Sequence, residues 1–341
     1  MFSLSNVLKH QRCDLSASWH FHISRTIDSL RRWNSLRWFA MLMFCYRVLI
    51  IKRLSDFEIG PVLETGDVMD WKLAAKDPIH WKAAAELLEF YGVDTSLEGD
   101  ELLVETARVF SRLPYENLSK LIRKHTRQPG PDRFRLPGDV FTEHVEKGAG
   151  GTCFSLSCLF GSALDVLGIS SYPVLSRMRT GSAMHCGLVA VVGEEKFLLD
   201  PGYLVNVPVR LNSEGVSACD METGRVELVP SKEGFVLHAG GKQRYVFKDE
   251  PMSISSFMAL WAESFDWVMM NNIHLTRLVA GGYMYVHGHR VRRNAGGEKS
   301  NENIRARHVE ALREYFGISP DLSEEALELV RKIRRNSGKK A

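Results

Sequence analysis

An α+β fold is predicted by two changes of period along the chain. Up to Gly168 apolar residues recur at helical steps of three and four. From Tyr172 to about Phe247 they fall in short runs separated by turn signals, and beyond Ile254 the two patterns mix. The 341 residues are enough for two or three domains with a real core. With 45% hydrophobic and 25% charged residues, the composition is that of an ordinary globular protein. A formal net charge of +3 is too small to indicate a nucleic-acid partner, and none is expected. Six cysteines at irregular spacings make no disulfide framework. They suit a reducing compartment, so a cytoplasmic location is expected.

Residues 1–60 read as a basic N-terminal extension. Met1 to Arg37 carries Lys9, Arg12, Arg25, Arg31, Arg32 and Arg37 against Asp14 and Asp28. The apolar run Trp38 to Ile51 is broken by Arg47 and is shorter than the ~20 residues of a membrane span. It also lies too far in for a secretory signal. The preferred reading is a dispensable extension; a transit peptide and a membrane-surface patch are the alternatives. Cys13, His20 and His22 do not have the spacing of a zinc site.

Residues 61–168 read as helical. One helix is expected from Asp67 to Asp94, with Trp71, Ala74, Trp81, Ala85 and Leu88 in phase and Gly92 near its stop. A second runs from Gly99 to Leu113, with Leu102, Leu103, Thr106, Ala107 and Phe110 on one face, and Pro114 ends it. Leu113 to Leu118 reads as a turn into a short helix. Pro129-Gly130-Pro131 and Pro137-Gly138 read as loop. Gly148-Ala149-Gly150-Gly151-Thr152-Cys153 is a glycine-rich turn feeding an apolar helix that stops at Gly168.

Residues 169–250 read as strands: Tyr172 to Leu175, His185 to Val192, Lys196 to Leu199, Tyr203 to Val209, Val226 to Val229, Gly234 to His238 and Arg244 to Phe247. Val192-Gly193-Glu194 marks a hairpin. Residues 251–341 mix a helix from Ile254 to Met270, a strand from Tyr283 to Val286, and helices over Ile304–Phe316 and Ser323–Arg335.

The chemistry centres on Cys153. A cysteine at a helix start meets the positive end of the helix dipole and unpaired N–H groups, which favour thiolate. Gly150, Gly151 and Thr152 before it, and Phe154 after it, form the nucleophile loop, whose N–H groups suit an oxyanion. A nucleophilic cysteine needs a base. His185 opens an apolar strand, and fifteen positions later Asp200 closes the next one. A hairpin between them brings the two side by side, where Asp200 would fix the imidazole tautomer.

Pro114-Tyr115-Glu116-Asn117-Leu118 resembles the Pro-Phe-Glu-Asn-Leu segment of the arylamine N-acetyltransferases. Gly150-Gly151-Thr152-Cys153-Phe154 resembles that family's Arg-Gly-Gly-x-Cys-Phe, Leu199-Asp200-Pro201-Gly202-Tyr203 its Val-Asp-x-Gly-Phe, and Leu312 to Ile318 its terminal Leu-x-x-x-Phe-Gly-Ile. The resemblance implies a helical domain carrying Cys153, an antiparallel β-barrel carrying His185 and Asp200, and an α/β lid on a cysteine-proteinase-type core. It implies ping-pong transfer of an acetyl group from acetyl-CoA, as co-substrate and with no permanent cofactor or metal, to an aromatic amine or hydrazine. Glu116 and Tyr203 would support the site. The family's arginine is Ala149 here, so the counter-charge of Glu116 is unassigned, with Lys147 one substitute. Ser155, Ser157 and Leu204 are further departures.

Three rivals are weighed. A transglutaminase-like or papain-like hydrolase shares the Cys-His-Asp core but lacks the Pro114–Leu118 segment and the lid. A non-catalytic binding module is suggested by the altered surroundings of the triad. A zinc site on Cys153, Cys158, His185 and Cys186 is opposed by the helical and strand phases of Cys158 and Cys186. Finally, His287, His289, Arg290, Arg292 and Arg293 form the densest basic cluster after the nucleophile. They read either as a solvated loop before Gly296-Gly297 or as a clamp on CoA phosphates.

Overall fold

The computed structural model describes residues 78–179, 184–221, 223–336 and 338. The expected extension, with Cys13, His20, His22 and the run 38–51, lies outside them, as does the first part of the helix expected from Asp67. The described residues belong to one compact unit, Thr65–Ala341.

Helices come first: α1 (Pro78–Phe90), α2 (Gly99–Phe110), then a two-residue strand β1 (Tyr115–Glu116) and α3 (Leu118–Thr126). The expected loop at Pro137-Gly138 is instead the start of α4 (Pro137–Lys147). Proline is at home there because the first-turn N–H it lacks has no intrahelical acceptor. The α4 helix closes on Gly148, left-handed at φ 66°, and leads through the glycine turn into α5 (Cys153–Val166). Every residue of α5 from Cys153 to Leu164 is buried, which is why its sequence is apolar on all sides.

Eight strands follow: β2 (Ser170–Met178), β3 (Met184–Val192), β4 (Glu195–Asp200), β5 (Val205–Arg210), β6 (Ser217–Met221), β7 (Gly224–Ser231), β8 (Gly234–Ala239) and β9 (Lys242–Phe247). They pair antiparallel in the order β5-β4-β3-β2-β9-β8-β7-β6, and the two ends approach each other, so the sheet is a near-closed barrel. Its interior is filled by Val174, Val189, Leu198, Val209, Leu237 and Tyr245.

The expected helix Ile254–Met270 is shorter, α6 (Ile254–Glu263), followed by a 3₁₀ turn at Val268–Asn271. Next come β10 (His274–Val279), β11 (Gly282–His287), β12 (Arg290–Ala295) and β13 (Glu298–Asn303), then α7 (His308–Phe316) and α8 (Pro320–Asn336). Of the basic residues read as a loop, Arg290, Arg292 and Arg293 therefore lie in β12, while His287 ends β11 and His289 sits in the turn between the two strands. The second sheet runs β1-β10-β11-β12-β13, so the short strand after Pro114 joins the C-terminal sheet. Buried Asn117 ties that junction: its Oδ1 accepts from His274 N at 2.8 Å, and its Nδ2 donates to Asn272 O at 2.8 Å and Met269 O at 3.1 Å.

Candidate active site

The glycine turn is clamped to the segment that precedes β1. Gly151 N donates to Pro114 O at 3.3 Å and Glu116 N donates to Gly151 O at 2.9 Å. A side chain on Gly150 would place its Cβ 1.7 Å from Pro114 O, so only glycine permits this approach. Cys153 is thereby held as the first residue of α5, with Thr152 at the N-cap position, and it is 6% exposed. Phe154 turns into an aromatic wall with Phe257 at 5.3 Å, Trp267 at 6.0 Å and Trp261 at 6.3 Å between ring centroids.

His185 and Asp200 arrive from the hairpin of β3 and β4. The register pairs Leu188 with Leu199, so His185 and Asp200 sit diagonally across it. His185 Nε2 lies 2.8 and 2.9 Å from the two Asp200 oxygens. That leaves Nδ1 as the ring nitrogen available to the thiol, on which His185 acts directly. Gly202 covers the contact: a Cβ there would be 2.7 Å from His185 Cε1 and 2.9 Å from Cys153 Cβ.

Asp200 is fully buried and fully employed. Besides His185, it accepts from Tyr203 N at 2.9 Å and from the Tyr245 hydroxyl at 2.5 Å. The rings of Tyr203 and Tyr245 each lie 5.1 Å from the imidazole. Burial pulls the His185 proton affinity down, but the Asp200 charge and hydrogen bond outweigh it and raise the imidazolium to about 10. Burial alone would raise the Cys153 thiol. The hydrogen bond and charge of His185, then Lys120, bring it below its ordinary value. By contrast, burial pushes Cys158 up to about 12 and Cys186 well above the usual thiol range. The geometry favours a thiolate–imidazolium pair at Cys153 and at no other described cysteine. Among the described residues no three His, Cys, Asp or Glu side chains converge as for a metal.

Glu116 is fully buried, and its counter-charge is Arg135, not Lys147. Arg135 Nη1 lies 3.3 Å from Glu116 Oε1 and donates to Gly150 O at 2.7 Å, while its Nε donates to Glu143 at 2.7 Å. Ser119 donates to Glu116 through both N, at 3.0 Å, and Oγ, at 2.5 Å. Lys147 is half-exposed and pairs with Asp321 at 3.6 Å. Arg135 lies in a loop fourteen residues upstream of Ala149 and reaches the glycine turn from there.

The basic cluster divides. Arg290 pairs with His287, Arg292 with Tyr285, and Arg293 with Met284. Alternation puts Arg293 on the opposite sheet face from Arg290 and Arg292. The face of Arg292 runs in one row across the sheet through Tyr285 and Thr276 to Tyr115. Burial, then the neighbouring charges of Cys153, Glu116, Tyr203 and Tyr285, raise the Tyr115 hydroxyl, so the row ends beside the nucleophile. His287 stacks on His274 at 4.6 Å, and His289 sits in the turn after it. Arg135, Tyr245 and Lys120 escape a reading by motif. Gly202 was quoted within the motif from Leu199 to Tyr203, but its packing over the pair of side chains carried no signal of its own.

The family model described as N-acetyltransferase matches residues 101–324, more than half of the chain and the whole span that carries the constellation. No curated protein matches the sequence significantly. Solved arylamine N-acetyltransferases share the fold. That of Mycobacterium abscessus superposes with a TM-score of 0.62 at 20% identity, over 79% of this chain and 99% of that one. The Mycobacterium marinum enzyme in complex with CoA gives 0.62 at 16%, over 72% and 97%. The Salmonella typhimurium enzyme gives 0.55 at 18%, over 71% and 98%. With the sequence match spanning both sheets and the nucleophile turn, the chain belongs to the arylamine N-acetyltransferase family of acetyl-CoA-dependent enzymes.

Proposed function

We propose that the transferred acetyl group is carried on Cys153, with His185 as proton carrier and Asp200 holding it, and that the acceptor is an aromatic amine or hydrazine. The observation that carries this is the buried thiol packed under Gly202 beside an imidazole that Asp200 holds in the charged form. The thiolate attacks the acetyl carbonyl of acetyl-CoA, and the departing CoA sulfur takes a proton from His185. The acceptor nitrogen then attacks the Cys153 thioester and gives its proton back to His185, while the bond electrons return to sulfur. N–H groups at the start of α5 stand ready for the oxyanion of each step. Tyr115 and Tyr203 give the surroundings of the thiol an aromatic character that suits an aryl acceptor. Near-complete burial of Cys153 keeps water scarce, which favours transfer over the hydrolase alternative.

For the co-substrate, a CoA complex exists for the Mycobacterium marinum relative. Here His287, Arg290 and Arg292 share the sheet face that leads to Tyr115, and phosphate groups would meet them there, with His289 at the edge. Arg293 faces away from that row and has no part in this reading. A reactive thiolate also fits the reducing, cytoplasmic setting expected from the cysteines. No described helix is long and apolar enough to cross a membrane. Replacing Cys153 tests the assignment: Cys153→Ala should lose at least ~10³-fold in acetyl transfer with the fold intact by circular dichroism. Transfer at the wild-type rate would overturn it.

A further inference from the structure

Lys120 is a buried cation for which the triad has no use. It sits in the first turn of α3 and is 5% exposed. Its Nζ donates to Ser264 Oγ at 2.5 Å, and that hydroxyl itself donates to Trp261 O at 2.5 Å, so the lysine must be the donor of the pair. Its other sides face aromatic rings, Phe265 at 4.7 Å and Trp267 at 6.0 Å. No described carboxylate lies within ion-pair distance of it. Asp266, whose charge reaches it, is taken by Lys124 at 3.0 Å and stands largely in solvent. A buried ammonium needs a counter-charge, and ring faces with one hydroxyl offset only part of its lost hydration.

The remaining anion is the nucleophile. Trp267, which lines the Lys120 pocket, packs on Phe154, the residue after Cys153. The charges of Lys120 and Cys153 act on each other. We propose that Lys120 is the second cation of this site, stabilising the Cys153 sulfur as an anion both in the free enzyme and when it is expelled from the acyl-enzyme. The inference rests on Cys153 as nucleophile. In the second step the acceptor nitrogen forms its bond to the acetyl carbon, the carbon–sulfur pair returns to sulfur, and the amine proton goes to His185. Lys120 touches none of the reacting atoms. It acts through the sulfur as a positioning residue, raising the neutral thioester relative to the thiolate and so hastening acyl release.

Burial brings the Lys120 ammonium down to about 8, against the pull of Cys153; Lys124 lowers it further and Asp266 raises it. Its charge is therefore lost well before that of His185.

The test is the pH dependence of Cys153 alkylation by iodoacetamide, mapped by peptide mass, in the full chain as wild type, Lys120→Met, Lys120→Gln and Lys120→Arg. Acyl-enzyme lifetime is measured on the same proteins. The methionine and glutamine variants should shift the thiolate midpoint upward by about one pH unit, a tenfold effect of one partly screened charge. Their acyl-enzyme should live about tenfold longer, and arginine should restore most of both. The wild-type profile should carry a second inflection near pH 8 as Lys120 titrates. Superimposable profiles, or a wild-type plateau without that inflection, would overturn the proposal even if a variant fails to fold. Preferential alkylation elsewhere in wild type would remove the nucleophile assignment itself, and this inference with it.

Discussion

At the scale of single residues, three interactions set the chemistry and one protects it. Asp200 anchors the charged imidazole while Tyr203 N and Tyr245 hold Asp200, so the carboxylate keeps its orientation without solvent. The thiolate–imidazolium pair forms once pH exceeds the depressed thiol value and is lost as His185 deprotonates through about 10. Acyl-enzyme formation should therefore rise through an acid limb set by the depressed thiol, carry the Lys120 inflection near pH 8, and fall as His185 deprotonates through about 10. Asp200→Asn removes the charge that raises His185, so the basic limb should move down by at least one unit and the rate fall ~10²- to 10⁴-fold, read from pH profiles of acetyl transfer. An unchanged limb would mean that Asp200 does not charge the imidazole. Arg135 protects the site by compensating Glu116. Arg135→Met should cost ~3–5 kcal/mol in denaturant unfolding because it strands a buried carboxylate, and adding Glu116→Gln should recover part of the loss. A loss below about 1 kcal/mol would show that Ser119 alone suffices. The identity of Arg135 was not legible in the sequence: an arginine in a loop has no periodicity, and only folding carries it to Gly150.

At the scale of elements, the turn, the helix and the hairpin that make the site were legible because each has a local signal. Glycines before an apolar run, a glycine at the far end, and Gly193 between two apolar strands suffice for α5, β3 and β4. The failures have equally local reasons. Pro137-Gly138 carries the letters of a loop, yet proline at the first helical position begins α4. The β13 sequence, Glu-Lys-Ser-Asn-Glu-Asn, has no apolar alternation; it is an exposed edge strand held by its ladder to β12. The β12 strand is half basic, so it too reads as solvated loop. Leu204 stands at φ +53°, in the left-handed region, where the family usually has glycine. Its side chain is 1% exposed, so burial of a leucine offsets the ~1–2 kcal/mol backbone penalty. Gly202 has no such latitude. Gly202→Ala should leave secondary structure unchanged but reduce transfer by at least ~10²-fold, since its Cβ must displace His185 or Cys153. Near-normal kcat would show that the loop can shift without disturbing the pair.

At the scale of the whole molecule, one short segment joins the parts. Residues Pro114 to Lys120 bond the nucleophile turn, contribute β1 to the C-terminal sheet, anchor Asn117 against residues 269–274, and bury Glu116 and Lys120. The helices carry Cys153, the barrel carries His185 and Asp200, and the C-terminal sheet carries the row from Tyr115 through Tyr285 to Arg292. The fold class was legible because it depends on the order of helical and strand-like runs. The distribution of charge around the thiol was not, because Lys120, Arg135 and Tyr245 come from three distant stretches that meet only in the folded chain. All of it serves one claim, that acyl transfer passes through a thioester on Cys153. Its most direct test is to mix the protein with acetyl-CoA in the absence of acceptor, quench in acid, and read intact mass and peptide maps. The account predicts one added acetyl group, located on Cys153, absent from Cys153→Ser and discharged when an aromatic amine is added. An acetyl group on another residue, or turnover of acetyl-CoA by Cys153→Ser at the wild-type rate, would contradict it.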